Sequence, residues 1–113
     1  MMDSILTSIK KLLGITEDYT HFDADIIIDI NSVFMILRQL GVGPVDGFNI
    51  TDSSQTWHDY LSDDESKLSA VKTYVYLKVR LMFDPPVGSV LESYNNQIKE
   101  LEWRLNVEVD PKN

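Results

Sequence analysis

Residues 74–94 read YVYLKVRLMFDPPVGSVLESY, in which one apolar segment ends, the chain breaks sharply and a second apolar pattern begins. Proline lacks a backbone N–H and disfavours helical geometry in the residue before it. Apolar residues recur at helical spacing on both sides of Asp84, Pro85 and Pro86. We therefore predict two helices joined by an elbow at these three residues.

The helix before the elbow, predicted over residues 65–83, is apolar on two sides. Its two stripes, roughly opposite each other, are Leu68, Val71, Val75, Val79 and Met82, and Ala70, Tyr74, Leu77 and Leu81. A helix of this kind lies either at the centre of its own domain or between neighbouring subunits. The acidic residues among SDDE, at positions 62–65, favour a helix N-terminus at this place.

The helix after the elbow, predicted over about residues 87–106, repeats apolar residues in alternating steps of four and three. The repeating residues are Val87, Leu91, Tyr94, Ile98, Leu101 and Leu105. This is the spacing of a helix–helix seam. Trp103 falls off the seam, and an exposed tryptophan favours a protein interface. Residues 106–109 alternate apolar and polar side chains ahead of a proline, so this end is predicted to form a short strand or an extended arm.

Residues 4–13 carry apolar side chains at the spacing of a short amphipathic helix, which Asp3 or Ser4 would cap and Gly14 would end. Such a helix either packs on a core or lies on a membrane surface. Its two lysines make a weak basic face, which favours core packing.

A longer helix is predicted over residues 23–40, with Asp23 as its cap and Gly41 as its end. The β-branched run at residues 26–28 is also compatible with a strand. The helical pattern continues over too many residues for one strand, so helix is preferred.

Residues 42–56 form a long loop rich in Gly, Pro, Asp and Ser. Loops of this length in compact domains are usually functional or mobile. We expect a mobile loop around its strand-like residues, Phe48, Asn49 and Ile50. The following TWHDYL, residues 56–61, predicts one helical turn that anchors the end of the loop through Trp57.

The apolar spacing along the chain predicts an all-α fold, a small bundle of about four helices. Its length and composition predict a single domain over residues 1–113. A net charge of −8 argues against a protein that binds nucleic acid by neutralising phosphates. The absence of cysteine excludes disulfides and thiolate metal sites. The first residues do not form a secretory signal and no apolar run is long enough to span a membrane, so a cytosolic protein is expected.

Candidates for chemistry are few. Asp25 and Asp29 share one face of a predicted helix close to Asp23, so a metal or acid–base site is conceivable, although a solvated acidic face explains them better. His21 and His58 lie near no nucleophile motif and have no metal-pair spacing. We expect no catalytic residue, no cofactor and no metal site, and therefore no enzyme.

The pattern as a whole resembles a known family. The similarity lies in residues 74–86, YVYLKVRLMFDPP, in ELEWRLN at 100–106, and in the loop GVGPVDGFNITD before TWHDYL. These segments are similar to those of head-tail connector adaptors of long-tailed bacteriophages, and the similarity covers most of the chain.

The resemblance implies a non-enzymatic virion component at the head-tail interface, assembled in the host cytoplasm. Such adaptors form a ring, usually of twelve copies, beneath the portal protein after DNA packaging. They extend the DNA channel without binding DNA specifically and present a surface to the next connector, stopper or tail protein. No membrane is involved. The resemblance also implies a C-terminal arm, about residues 105–113, that can engage the portal. The residues expected at a subunit or portal interface are Tyr74, Leu77, Leu81, Trp103, Leu105, Val107 and Val109.

Two other functions remain open from the sequence. One is a small acidic interaction protein that presents carboxylates in place of DNA phosphates to a basic partner, because the acidic residues cluster at positions 23–29 and 63–65. The other is a metal-dependent enzyme, which rests on the aspartates alone.

Overall fold

The structure, a computed structural model, describes residues 4–61 and 65–109. Its helices are α1 (Ile5–Leu12), α2 (Asp23–Gln39), α3 (Trp57–Tyr60), α4 (Glu65–Phe83) and α5 (Gly88–Val109). The described residues include no strand, so the prediction of an all-α bundle is confirmed, with the one-turn α3 as a fifth helix. The acidic residues at 62–64, predicted to cap α4, lie outside the described residues.

The ends of α1 follow the sequence pattern, whereas the start of α2 does not. Ser4 caps α1 by accepting a hydrogen bond from the Thr7 N–H at 3.2 Å, and Gly14 follows the helix with a φ of 84°. In α2 the capping position is Phe22, which makes no side-chain capping bond. Asp23 is already helical, so its prediction as the cap is wrong by one residue.

Helix α4 packs against both α2 and α5, and its two apolar stripes fill the core of the chain. Val71, Val75 and Val79 of the first stripe and Tyr74 and Leu77 of the second are all buried. Burial on two sides is therefore satisfied within one chain. Of the two possibilities that the sequence left open, the structure supports a central helix, and the pattern gives no support to sharing of α4 between subunits.

Helix α5 continues further than predicted. Its seam packs on α4 through Ile98 and Leu105, which are buried, while Val87 lies outside the helix and is exposed. The helix runs to Val109, so the prediction of an extended arm is wrong for residues 105–109. Leu105 belongs to the core, and a buried apolar contact at this place stabilises one more helical turn. Residues 110–113 lie outside the described residues.

A buried lysine joins α1, the following connection and α2. The Lys10 side chain is 3% exposed, and its Nζ donates hydrogen bonds to the carbonyls of Glu17 at 3.0 Å and Tyr19 at 2.8 Å. The same Nζ lies 2.8 Å from Asp23 Oδ1. Asp23 Oδ1 accepts no hydrogen bond, so its contact with Lys10 is an ion pair. Three partners from two segments compensate for the burial of the charge.

We expect Lys10→Met to lower the free energy of unfolding by about 1–3 kcal/mol, because it leaves two carbonyls and one carboxylate without their cationic partner. The matched control is Lys11→Met on the neighbouring exposed lysine, which should cost about 0.5 kcal/mol or less. Urea unfolding measures both. Equal losses in the two variants would show that Lys10 does not anchor the connection.

Candidate assembly surfaces

The elbow between α4 and α5 occupies residues 84–87 and is held by an arginine. Arg80 Nε donates a hydrogen bond to the Asp84 carbonyl at 2.6 Å, and its guanidinium also donates to the Tyr76 hydroxyl at 3.2 Å. The same guanidinium lies 6.0 Å from the centre of the Tyr94 ring, on α5. One side chain thus contacts the end of α4, the elbow and the start of α5.

The prolines explain why this arginine is needed. The last carbonyls of a helix lack backbone partners, and Pro85 and Pro86 have no N–H to offer them. Arg80 supplies a donor to one of these carbonyls from the preceding turn. Sequence reasoning found the break but missed Arg80, although an arginine four residues before Asp84 was the signal for it.

The residues predicted at an interface separate into buried and exposed groups. Tyr74, Leu77 and Leu105 lie in the core of the chain itself, and Leu81 is half-buried against it. Burial raises the pKa of the Tyr74 hydroxyl, which donates a hydrogen bond to Glu102 Oε2 at 2.7 Å, and Glu102 raises it further. These side chains are therefore not available on the surface of the folded chain.

Trp103 and Val107 are exposed, with 68% and 48% of their surfaces accessible. They lie one turn apart on α5, on the side facing away from the seam that packs on α4. Lys99 lies one turn before Trp103 and is also exposed. We call Lys99, Trp103 and Val107 the α5 ridge. The side chain of Val109, also predicted here, lies outside the described residues.

The loop of residues 42–56 is anchored at its centre. The Asn31 side chain accepts a hydrogen bond from the Ile50 N–H at 2.8 Å and donates one to the Ile50 carbonyl at 3.0 Å. Ile50 is buried, and the Phe48 ring packs against Phe34 and Tyr60. Asn49 is exposed between them. These contacts favour an ordered loop at Phe48 and Ile50. The mobility expected for residues 48–50 from the sequence stays a prediction.

The end of the loop is fixed to α1. Trp57 is buried, and its indole N–H donates to the Ser8 hydroxyl at 2.8 Å. Thr56 and Asp59 cap α3 reciprocally, each side chain accepting a hydrogen bond from the other residue's backbone N–H. The predicted helical turn is thus present and holds the loop, as its tryptophan indicated.

The aspartates of α2 do not form one solvated row. Asp23 contacts Lys10, whereas Asp25 and Asp29 border an open hollow of about 360 Å³ between α2 and the end of α4. Partial burial raises the pKa of the Asp29 carboxyl, and the charge of Asp25 raises it further. Only part of the acidic group that suggested a DNA mimic therefore faces outward.

Residues 4–61 and 65–109 contain neither a group of metal-ligating side chains nor a membrane-spanning helix. In that part of the chain, no three His, Cys, Asp or Glu side chains are grouped so that they could hold a metal ion. None of the helices described there is long and apolar enough to cross a membrane.

Exposed apolar side chains on α2, on α5 and in the loop are notable surface features of the described helical fold. Residues 5–112 match the family described as Phage connector protein. The match spans nearly the whole chain, and the chain belongs to this family. Searches of curated proteins and of solved structures found no match.

Membership confirms the resemblance read from the sequence. The chain is a head-tail connector protein of a bacteriophage, a structural component of the virion that interacts with other head or tail proteins. The surfaces described above are therefore candidates for assembly contacts.

Alanine substitutions at Gly43, in the loop, and Gly14, after α1, should differ in their cost to the free energy of unfolding. Gly43 has a φ of 92°, and a Cβ there would lie 2.7 Å from Cε1 of the buried Tyr60 ring. Gly14 has a similar φ of 84° but open space around it. We expect Gly43→Ala to cost about 1–3 kcal/mol more than Gly14→Ala, because only the first adds a clash to the backbone strain. Urea unfolding of both variants checks this, and equal costs would contradict it.

The raised pKa of the Asp29 carboxyl predicts that its contribution to stability falls as the pH rises. Because its pKa is raised above 3.8 in the folded chain, the native state holds the proton more tightly than the unfolded state. Its contribution to stability is therefore greatest in acid and is lost as pH rises through the folded pKa. Asp29→Asn should stabilise the chain at about pH 7, with the gain shrinking towards about pH 3.

Urea unfolding at several pH values measures this gain. The control is Asp46→Asn at an exposed loop position, for which we expect little change at either pH. A gain that is constant across the range would show that the Asp29 carboxyl is not the cause.

Proposed function

We propose that this chain forms a ring adaptor that connects the portal protein to the next stopper or tail protein and extends the DNA channel after packaging. The observation that carries the proposal is the family match over residues 5–112. A ring of about twelve copies follows from the resemblance of the sequence to connector adaptors.

The exposed apolar residues support association with partners. Trp103 on α5, Ile28 and Met35 on α2, and Val45 in the loop are each more than half exposed. Exposed tryptophan and methionine side chains are enriched at protein interfaces. Because they occur on separate elements, they provide surfaces for more than one neighbour, as a ring adaptor between two other proteins requires.

The charge of the chain supports a passive DNA channel. A net charge of −8 produces a negative field around each copy, and like charge suppresses binding of the phosphate backbone. A ring of such copies would let DNA pass without holding it. The arm predicted at the C-terminus is replaced by helix up to Val109, so this proposal does not rely on residues 105–109 as an extended portal-docking segment.

Electron microscopy of the purified chain, alone and mixed with its cognate portal protein, tests the proposal. We expect ring-shaped particles in the mixture, seated on the portal and narrowing to a central channel. A chain that remains monomeric with portal, binds no portal and is absent from purified virions would overturn it.

The elbow predicts an effect on assembly rather than on folding. Replacing both Pro85 and Pro86 by Ala restores two N–H groups and relaxes the fixed backbone path of the elbow, so the angle between α4 and α5 is less strictly set while their packing is kept. We expect unfolding free energy to change by about 1 kcal/mol or less, while ring formation with portal is disturbed. Urea unfolding and electron microscopy measure the two effects.

The matched control is Pro44→Ala, a proline-to-alanine change at an exposed loop position away from the elbow. This variant should assemble like the wild type. If the elbow variant unfolds outright or assembles normally, the elbow has no separate role in subunit shape.

A further inference from the structure

Two exposed surfaces of the chain complement each other in chemistry. The first, which we call the acidic hollow, is the open depression of about 360 Å³ between the start of α2 and the end of α4. It is lined by Phe22, Asp25, Ile28, Asp29, Met82 and Phe83. Its walls combine aromatic and aliphatic side chains with two carboxylates, and Ile28 and Met82 are 62% and 45% exposed.

Packing between two aromatic rings forms part of the lining of the acidic hollow. Phe22 and Phe83 pack edge to face with ring centres 5.2 Å apart, which joins the start of α2 to the end of α4. Asp29 is partly buried beside them, next to a second carboxylate. An apolar group that carries a cation would cover the exposed side chains and neutralise this charge.

The second surface is the α5 ridge. Lys99, Trp103 and Val107 succeed one another at one-turn spacing, so they present a cation, a large aromatic ring and an aliphatic group in a row. Arg104 and Glu100 lie beside the ridge and pair with each other at 2.7 Å, so their charges largely cancel. The ridge therefore offers what the acidic hollow lacks.

The two surfaces cannot meet within one copy. Contacts of Tyr76 with Tyr94 and of Tyr74 with Glu102 show that α5 runs antiparallel to α4. Trp103 therefore lies near the level of Tyr74, which is nine residues or roughly 14 Å along α4 from Phe83. The ridge also faces away from α4, whereas the acidic hollow opens beside it.

We propose that the α5 ridge of one copy docks into the acidic hollow of the next copy, with Trp103 against Ile28 and Met82, and Lys99 beside Asp25 and Asp29. The inference rests on the proposed ring and names the contact that would build it. Two different surfaces that join head to tail form a heterologous interface, which closes into a ring when the rotation between copies allows it.

Two single variants test the contact, each destroying one surface. Trp103→Glu disables the ridge and Ile28→Glu disables the acidic hollow, and both residues are exposed, so the fold should be retained. The matched control is Leu12→Glu, which places the same charge at an exposed leucine outside both surfaces. Circular dichroism and urea unfolding verify the fold of all three variants.

Native mass spectrometry and electron microscopy, with portal present, measure assembly. We expect wild type and Leu12→Glu to form rings and each of the other two variants to associate about tenfold or more weakly. A mixture of the Trp103→Glu and Ile28→Glu variants keeps one intact ridge and one intact hollow. It should therefore give a one-to-one dimer that cannot grow, and high salt should weaken this dimer.

The outcomes separate this inference from the proposed function. Rings from wild type and from both surface variants would overturn the docking while leaving the ring adaptor intact. Loss of rings in the variants without the mixed dimer would also overturn it, because the two surfaces would not be partners. A wild type that forms no ring with portal would overturn both.

Discussion

The burial of α4 on two sides is the constraint on which the rest of the structure depends. Its apolar stripes require a helix on each of two faces, and α2 and α5 fill these places. Because α4 and α5 are consecutive, the chain must reverse within the few residues of the elbow, and Pro85 and Pro86 provide the break. The exposed apolar side chains are those that the packing of α2, α4 and α5 does not cover.

The remaining segments are held by single polar side chains in addition to buried apolar residues such as Ile50 and Trp57. Lys10 holds the connection between α1 and α2, Asn31 holds the loop through the backbone of Ile50, and Arg80 holds the elbow carbonyl. In each case a side chain on a helix satisfies backbone groups of irregular chain, which have no helical partners of their own. Such contacts give long connections a defined path across a small helical core.

The sequence predicted most of the fold because the signals were local. Helix spacing, the glycine stops and the double proline lie within a few residues of the structure they determine, and the bounds of α4 agree with the prediction. The partners of Lys10 and Asn31 could not be predicted, since Asn31 and Ile50 are 19 residues apart and meet only in the folded chain. For the same reason the sequence placed Tyr74 and Leu77 at an interface, whereas the structure buries them within one chain. A two-sided apolar pattern does not say whether a neighbouring helix or a neighbouring subunit covers it.

In the proposed ring, copies with a net charge of −8 would have to assemble against their own repulsion. Apolar contact supplies attraction irrespective of charge, but it does not select one orientation among many copies. A cation beside Trp103 and carboxylates beside Ile28 would select the pairing of a ridge with a hollow. Two hollows facing each other would bring carboxylates together, and two ridges would bring lysines together. The chain has 10 Lys and Arg residues against 18 Asp and Glu residues, so the position of Lys99 on the exposed face of α5 matters for which surfaces attract. In the proposed ring, an acidic protein would in this way repel DNA along the channel and still recognise its own copies.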